Sequence, residues 1–84
     1  MGELEKLPNI GKVLAAQLAQ VGITTPEALR EAGSQQAWLA IKAIDSSACY
    51  NRLCELEGAI SSVRWHDLPP EVKSELKAFY NQMK

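Results

Sequence analysis

Apolar residues recur along this chain at intervals of three and four, and turn-forming residues cut the recurrence into five segments with no strand-like alternation. That pattern points to an all-α fold. Ile10, Val13, Leu14, Leu18 and Val21 form the first stripe, and Gly22 suits a helix carboxyl terminus. Thr25-Pro26-Glu27 opens a second, short helix: Thr25 suits the cap, Pro26 the first helical position, and Glu27 the positive end of the dipole. Leu29 and Ala32 give it an apolar edge, and Gly33 ends it. Ser34 is then placed to cap a third helix carrying Ala37, Trp38, Ile41 and Ile44. Asp45-Ser46-Ser47 stops that helix and offers caps for a fourth, in which Cys49, Leu53, Leu56 and Ile60 make one stripe. Pro69-Pro70 opens the last helix, with Val72, Leu76, Phe79, Tyr80 and Met83 on its apolar face. Five short helices are therefore expected, beginning near Ile10, Pro26, Gln35, Ser47 and Pro69. Leu14, Leu18, Ile41, Leu53, Leu56, Ile60, Leu76 and Phe79 are the expected core.

The 84 residues suffice for one domain, 1–84, and not for two. A composition of 46% hydrophobic and 23% charged residues argues against disorder, and a net charge of -1 neither attracts nor excludes nucleic acid strongly. Polyanion binding would have to be local. No apolar stretch approaches the ~18 residues of a membrane span, and no signal-peptide pattern opens the chain. Cys49 and Cys54 point about 140° apart on a helix, so they read as two small buried side chains and not as a disulfide. One His and no Cys-x-x-Cys leave a zinc site without ligands, and no cofactor motif is present. Free thiols without an export signal place the chain in the cytoplasm.

The segment Leu7-Pro8-Asn9-Ile10-Gly11, with Ala15, Leu18, Val21-Gly22-Ile23, Thr25 and Leu29 after it, resembles the second half of a helix-hairpin-helix motif. The hairpin of that motif usually reads Leu-Pro-Gly-Ile-Gly. Asn9 is an acceptable stand-in for Gly because Asn tolerates left-handed backbone angles. Ile10 pins the turn to the core, and Gly11 lets a ligand approach the start of the next helix. Unpaired amides there, with the helix dipole, form a candidate phosphate site, which Lys6 and Lys12 flank. With the run Ala59-Ile60-Ser61-Ser62-Val63-Arg64-Trp65-His66-Asp67-Leu68-Pro69-Pro70-Glu71 added, the chain from Leu7 onward looks like the C-terminal domain of the TfoX/Sxy family. Arg64-Trp65-His66-Asp67-Leu68-Pro69 is the more discriminating part. The resemblance implies an all-α fold of the SAM-like, helix-hairpin-helix kind and a regulatory link to DNA, because the family includes regulators of bacterial natural competence. In those regulators the domain follows a separate N-terminal domain; here it is expected to stand alone. Only Met1 to Lys6 precede the hairpin, so the motif's first helix is at best one turn, and Val13 stands where DNA-binding hairpins often carry Lys.

Lys6, Asn9, Ile10, Gly11 and Lys12 are thus the candidate phosphate or DNA contacts. Glu3 and Glu5 offset the two lysines, so any contact should be weak, salt-sensitive and indifferent to sequence. Trp65-His66-Asp67 superficially suggests catalysis, but neighbours in sequence rarely make that geometry, and no nucleophile stands beside them. Trp65 is expected to anchor a loop, mostly buried, while Asp67 or His66 helps cap the last helix. Gly58, inside the fourth helix, costs about 1 kcal/mol relative to Ala; a close helix-to-helix approach and a tolerated surface site fit it equally. The expected function is a binding module and not an enzyme, acting through weak DNA contact at the hairpin or, with a hairpin that simply closes the fold, through a protein partner or self-association.

Overall fold

A computed structural model describes residues 4–83. A single 3-10 turn, Leu4–Lys6, leads through the hairpin into α1 (Lys12–Gln20). Then come α2 (Pro26–Ile44), α3 (Tyr50–Ser61), a second 3-10 turn at Trp65–Asp67, and α4 (Pro70–Met83). The described residues contain no strand. α3 is the central element: α2, α4 and the Trp65–Asp67 turn all pack against it, and α1 closes against α2.

There are four α-helices, where five were expected. The two stretches split at Gly33 form one continuous element with a kink, because Gly33 adopts φ 85°, ψ 158° and helical bonding resumes at once. Only a residue without a Cβ takes that conformation cheaply. The expected second amino terminus therefore has no loop before it. Ser34 does not cap it either: its buried hydroxyl donates to Glu57 Oε1 at 2.7 Å, tying the kink to α3.

Among the other local signals, Thr25 and Gly22 act as expected, whereas no serine caps the fourth stretch: the N-cap of α3 is Cys49, with no side-chain hydrogen bond. Thr25 Oγ1 accepts the Ala28 amide at 3.1 Å, with Pro26 in the first turn. α1 ends in a Schellman motif: Gly22, at φ 88°, donates to Ala19 O, and Ile23 donates to Leu18 O. α3 ends in the same pattern, with Ser62 left-handed, its amide on Ala59 O and the Val63 amide on Gly58 O.

Leu14, Leu18, Ile41, Leu53, Leu56 and Leu76 are buried as expected, around Trp38 at their centre. Phe79 and Tyr80 meet the Trp38 ring edge-on at 5.9 and 5.7 Å between centroids, and its indole N–H donates to Cys49 O at 3.0 Å. Ile60 and Phe79 are only partly buried, packing at the margin of this core, and Met83 is exposed. Cys54 is buried but Cys49 is exposed, contrary to expectation. The reason is that α3 begins at Tyr50 and not near Ser47, so Cys49 is its cap and leaves the apolar stripe.

Candidate nucleic-acid interface

Ile10 is buried and anchors the turn, while Asn9 adopts φ 71°. Gly11 caps α1 with an extended backbone and no side-chain acceptor. The first bond across this terminus is Ala15 N–H to Gly11 O, so the amides of Lys12, Val13 and Leu14 have no acceptor among the described residues. α2 contrasts with this, since Thr25 caps it. A Cβ built on Gly11 would meet nothing within 4 Å, and its φ of -97° suits any residue. The fold therefore does not need glycine there; its absence of a side chain leaves the amides open from outside.

Lys6, Gly11 and Lys12 are exposed, and an open cleft of ≈ 330 Å³ runs past the α1 terminus between Asn9, Gly11, Lys12, Val13, Leu14, Arg52 and Glu55. Two of these residues carry no sequence signal of belonging here. Arg52 is held by Asp45 Oδ2 at 3.1 Å and Gln17 Oε1 at 3.2 Å. Glu55 lies opposite, and burial pushes its carboxyl up against the partial relief from Arg52. With Glu5 beside Lys6, the site is mixed in charge and only locally basic. Val13, 71% exposed, projects an apolar side chain at its edge.

Asn9 is the residue whose role the motif conceals. Its Nδ2 donates to Val63 O at 3.0 Å and to Glu55 O at 3.4 Å, and its Oδ1 accepts the Trp65 amide at 3.2 Å. The side chain is thus spent on joining the hairpin to the loop after α3, and it is the backbone at Asn9 that shapes the candidate site. Gly58 makes room for this junction: a Cβ there would lie 2.5 Å from Asn9 Nδ2 and 2.7 Å from Val63 O. Gly58 is neither a surface site nor a helix-to-helix contact: it is buried, and what approaches it is a side chain and a loop.

Trp65 is partly buried and His66 stacks on it at 4.0 Å between centroids. His66 and Asp67 are exposed, with no side-chain hydrogen bond between them among the described residues, so no catalytic pair forms. Neither side chain caps α4 there; instead Lys73 Nζ reaches back to His66 O at 3.1 Å. No described group of His, Cys, Asp and Glu could hold a metal ion, and no described helix is long and apolar enough to cross a membrane.

The sequence model of the TfoX C-terminal domain matches residues 1–80. The chain belongs to the TfoX C-terminal domain family. Protein Sxy of Escherichia coli strain K12 is 37% identical over 73 residues, which are 87% of this chain but 35% of that protein. The TfoX domain thus spans about a third of the length of that curated relative. Two Listeria monocytogenes crystal structures share the fold closely. An uncharacterized protein in a triclinic form is 46% identical with a TM-score of 0.95, covering 98% of this chain and 93% of that one. A protein of unknown function in a tetragonal form is 47% identical with a TM-score of 0.94, covering 96% and 99%.

Proposed function

We propose that this TfoX C-terminal domain is a non-enzymatic binding module that contacts DNA through backbone phosphates at a helix-hairpin-helix-like turn, Leu7–Gly11. The observation that carries this reading is the uncapped amino terminus of α1, with its open amides at Gly11 flanked by Lys6 and Lys12. Amides and lysines see phosphate and not base edges, so the contact is weak and indifferent to sequence. Family resemblance to competence regulators supports a regulatory role in the cytoplasm.

A fluorescence-anisotropy titration of a labelled duplex at low salt tests it. Two neutralised phosphates give a salt slope of about −2 in log affinity against log salt. Lys12→Glu is expected to remove most binding while leaving the melting temperature nearly unchanged. Equal binding by the variant, or none by wild type, makes the hairpin purely structural.

The second reading is a protein-contact or self-association domain. It is favoured by Val13, exposed and apolar at the position where DNA-binding hairpins often carry Lys. A protein that dimerises in sedimentation, with dimerisation lost on Val13→Lys, would support that reading over the first.

A further inference from the structure

Arg64 lies between Val63 and Trp65, and both of these neighbours are hydrogen-bonded to the side chain of Asn9. The carboxamide grips the chain on either side of Arg64, so this residue is fixed next to the hairpin although 55 positions separate it from Asn9 in sequence. Arg64 is exposed, as are Lys6 and Lys12. The other basic side chains differ in their commitments. Arg52 is paired with Asp45, Lys73 donates to His66 O, and Lys42 and Lys77 lie over the rings of Trp38 and Tyr50. Among the described residues, only Lys6, Lys12, Arg64 and Arg30 have no such partner, and three of those four belong to the hairpin or to the loop gripped by it. The usual glycine at position 9 would make the turn and leave that loop ungripped.

We propose that Arg64 is a further phosphate-contacting residue of the hairpin surface and that Asn9 is the residue that positions it. This rests on the phosphate-contact reading above and extends it to a part of the chain distant in sequence. The bidentate guanidinium suits phosphate, and the grip of Asn9 on both neighbours of Arg64 holds it next to the hairpin, where one strand of a duplex would meet the lysines and Arg64 together. Each neutralised phosphate adds about −0.9 to the salt slope. Three contacts therefore give about −3, where the two lysines alone give about −2.

The test is anisotropy of a labelled duplex across a salt series with wild type, Lys12→Gln, Arg64→Gln, Asn9→Gly, the Asn9→Gly/Arg64→Gln double variant, and Lys77→Gln as a control. Between about 50 and 200 mM salt, wild-type affinity should fall about 40-fold and Arg64→Gln affinity about 12-fold, while Lys77→Gln follows wild type. Asn9→Gly should lose as much slope as Arg64→Gln, and combining the two should lose no more. A loss of stability alone would not move the slope of the folded protein. If Lys12→Gln lowers the slope and Arg64→Gln does not, the assignment of Arg64 is wrong and the hairpin reading survives. A wild-type slope retained by Asn9→Gly overturns the positioning role of Asn9. No salt-dependent binding by wild type overturns both the proposal and the reading beneath it. Arg64→Gln, at an exposed position, keeps the assignment testable whatever Asn9→Gly does to folding.

Discussion

At Asn9 and Gly58, one side chain is admitted by the absence of another. Asn9 makes two hydrogen bonds into the loop after α3 and a third to Glu55 O within α3, and a methyl group on Gly58 would collide with its amide and with Val63 O. Gly58→Ala thus sets a helix-propensity gain of about 1 kcal/mol against displaced hydrogen bonds worth about 1 kcal/mol each and an overpacking cost of about 1–3 kcal/mol. We expect a net loss of about 2 kcal/mol, or roughly 8–16 °C in melting temperature, read by thermal denaturation. A melting temperature that rises would mean that the junction yields freely. The backbone of Asn9 was legible because only the turn it occupies matters for a left-handed residue. Its side-chain partners were not: they lie 46 to 56 residues away, and no local pattern records them. Arg52 and Glu55 were missed for the same reason, since α3 brings them to the hairpin only when the helices pack. The burial of Cys49 was misjudged because α3 begins at Tyr50, three residues after the expected start near Ser47.

Elements end where their capping chemistry says, and they divide less predictably. Gly22 and Thr25 act locally, so the end of α1 and the start of α2 could be read from composition and order. Gly33 was read as a stop because glycine with a following serine ordinarily is one; its non-helical backbone instead makes a kink, next to which Ser34 is tied to Glu57 of α3. A second tertiary tie joins three helices. Asp45, which caps α2, accepts from the amide and hydroxyl of Ser47, from Gln17 of α1 and from Arg52 of α3. The Ser47 bonds, then Gln17 and Arg52, hold its carboxyl well below the usual carboxylate range. A folded value below the unfolded one of about 3.9 means that this stabilisation is present above about pH 4 and is lost as pH falls toward the folded value. Asp45→Asn is expected to lower the denaturation midpoint at neutral pH and to converge on wild type in acid. A constant difference across the whole pH range would show that the charge of Asp45 is not what stabilises the junction.

Over the whole molecule, one apolar cluster around Trp38 links α1, α2, α3 and α4, and it makes the hairpin a rigid platform. The all-α class and most of that cluster could be read from apolar spacing, because burial of a stripe is what a short amphipathic helix needs for stability. The site is less legible than the fold because its charge is a matter of three-dimensional arrangement. A chain with a net charge of -1 can bind a polyanion only where its cations gather and its carboxylates stand back. Lys6 and Lys12 flank the hairpin and Arg64 sits in the loop that Asn9 holds, with Glu5 next to Lys6 and Glu55 in the cleft to offset them. The central claim is that the open amides of α1 are the contact point. Gly11→Asp addresses it directly, since a carboxylate at the cap accepts those amides and occupies the place of a phosphate. Such a cap leaves stability unchanged or raises it by up to about 1 kcal/mol. The measurement is duplex anisotropy at low salt, wild type against Gly11→Asp, with melting temperatures recorded for both. We predict salt-sensitive binding by wild type and none by a Gly11→Asp protein that melts no lower; binding of equal strength by both would contradict the account.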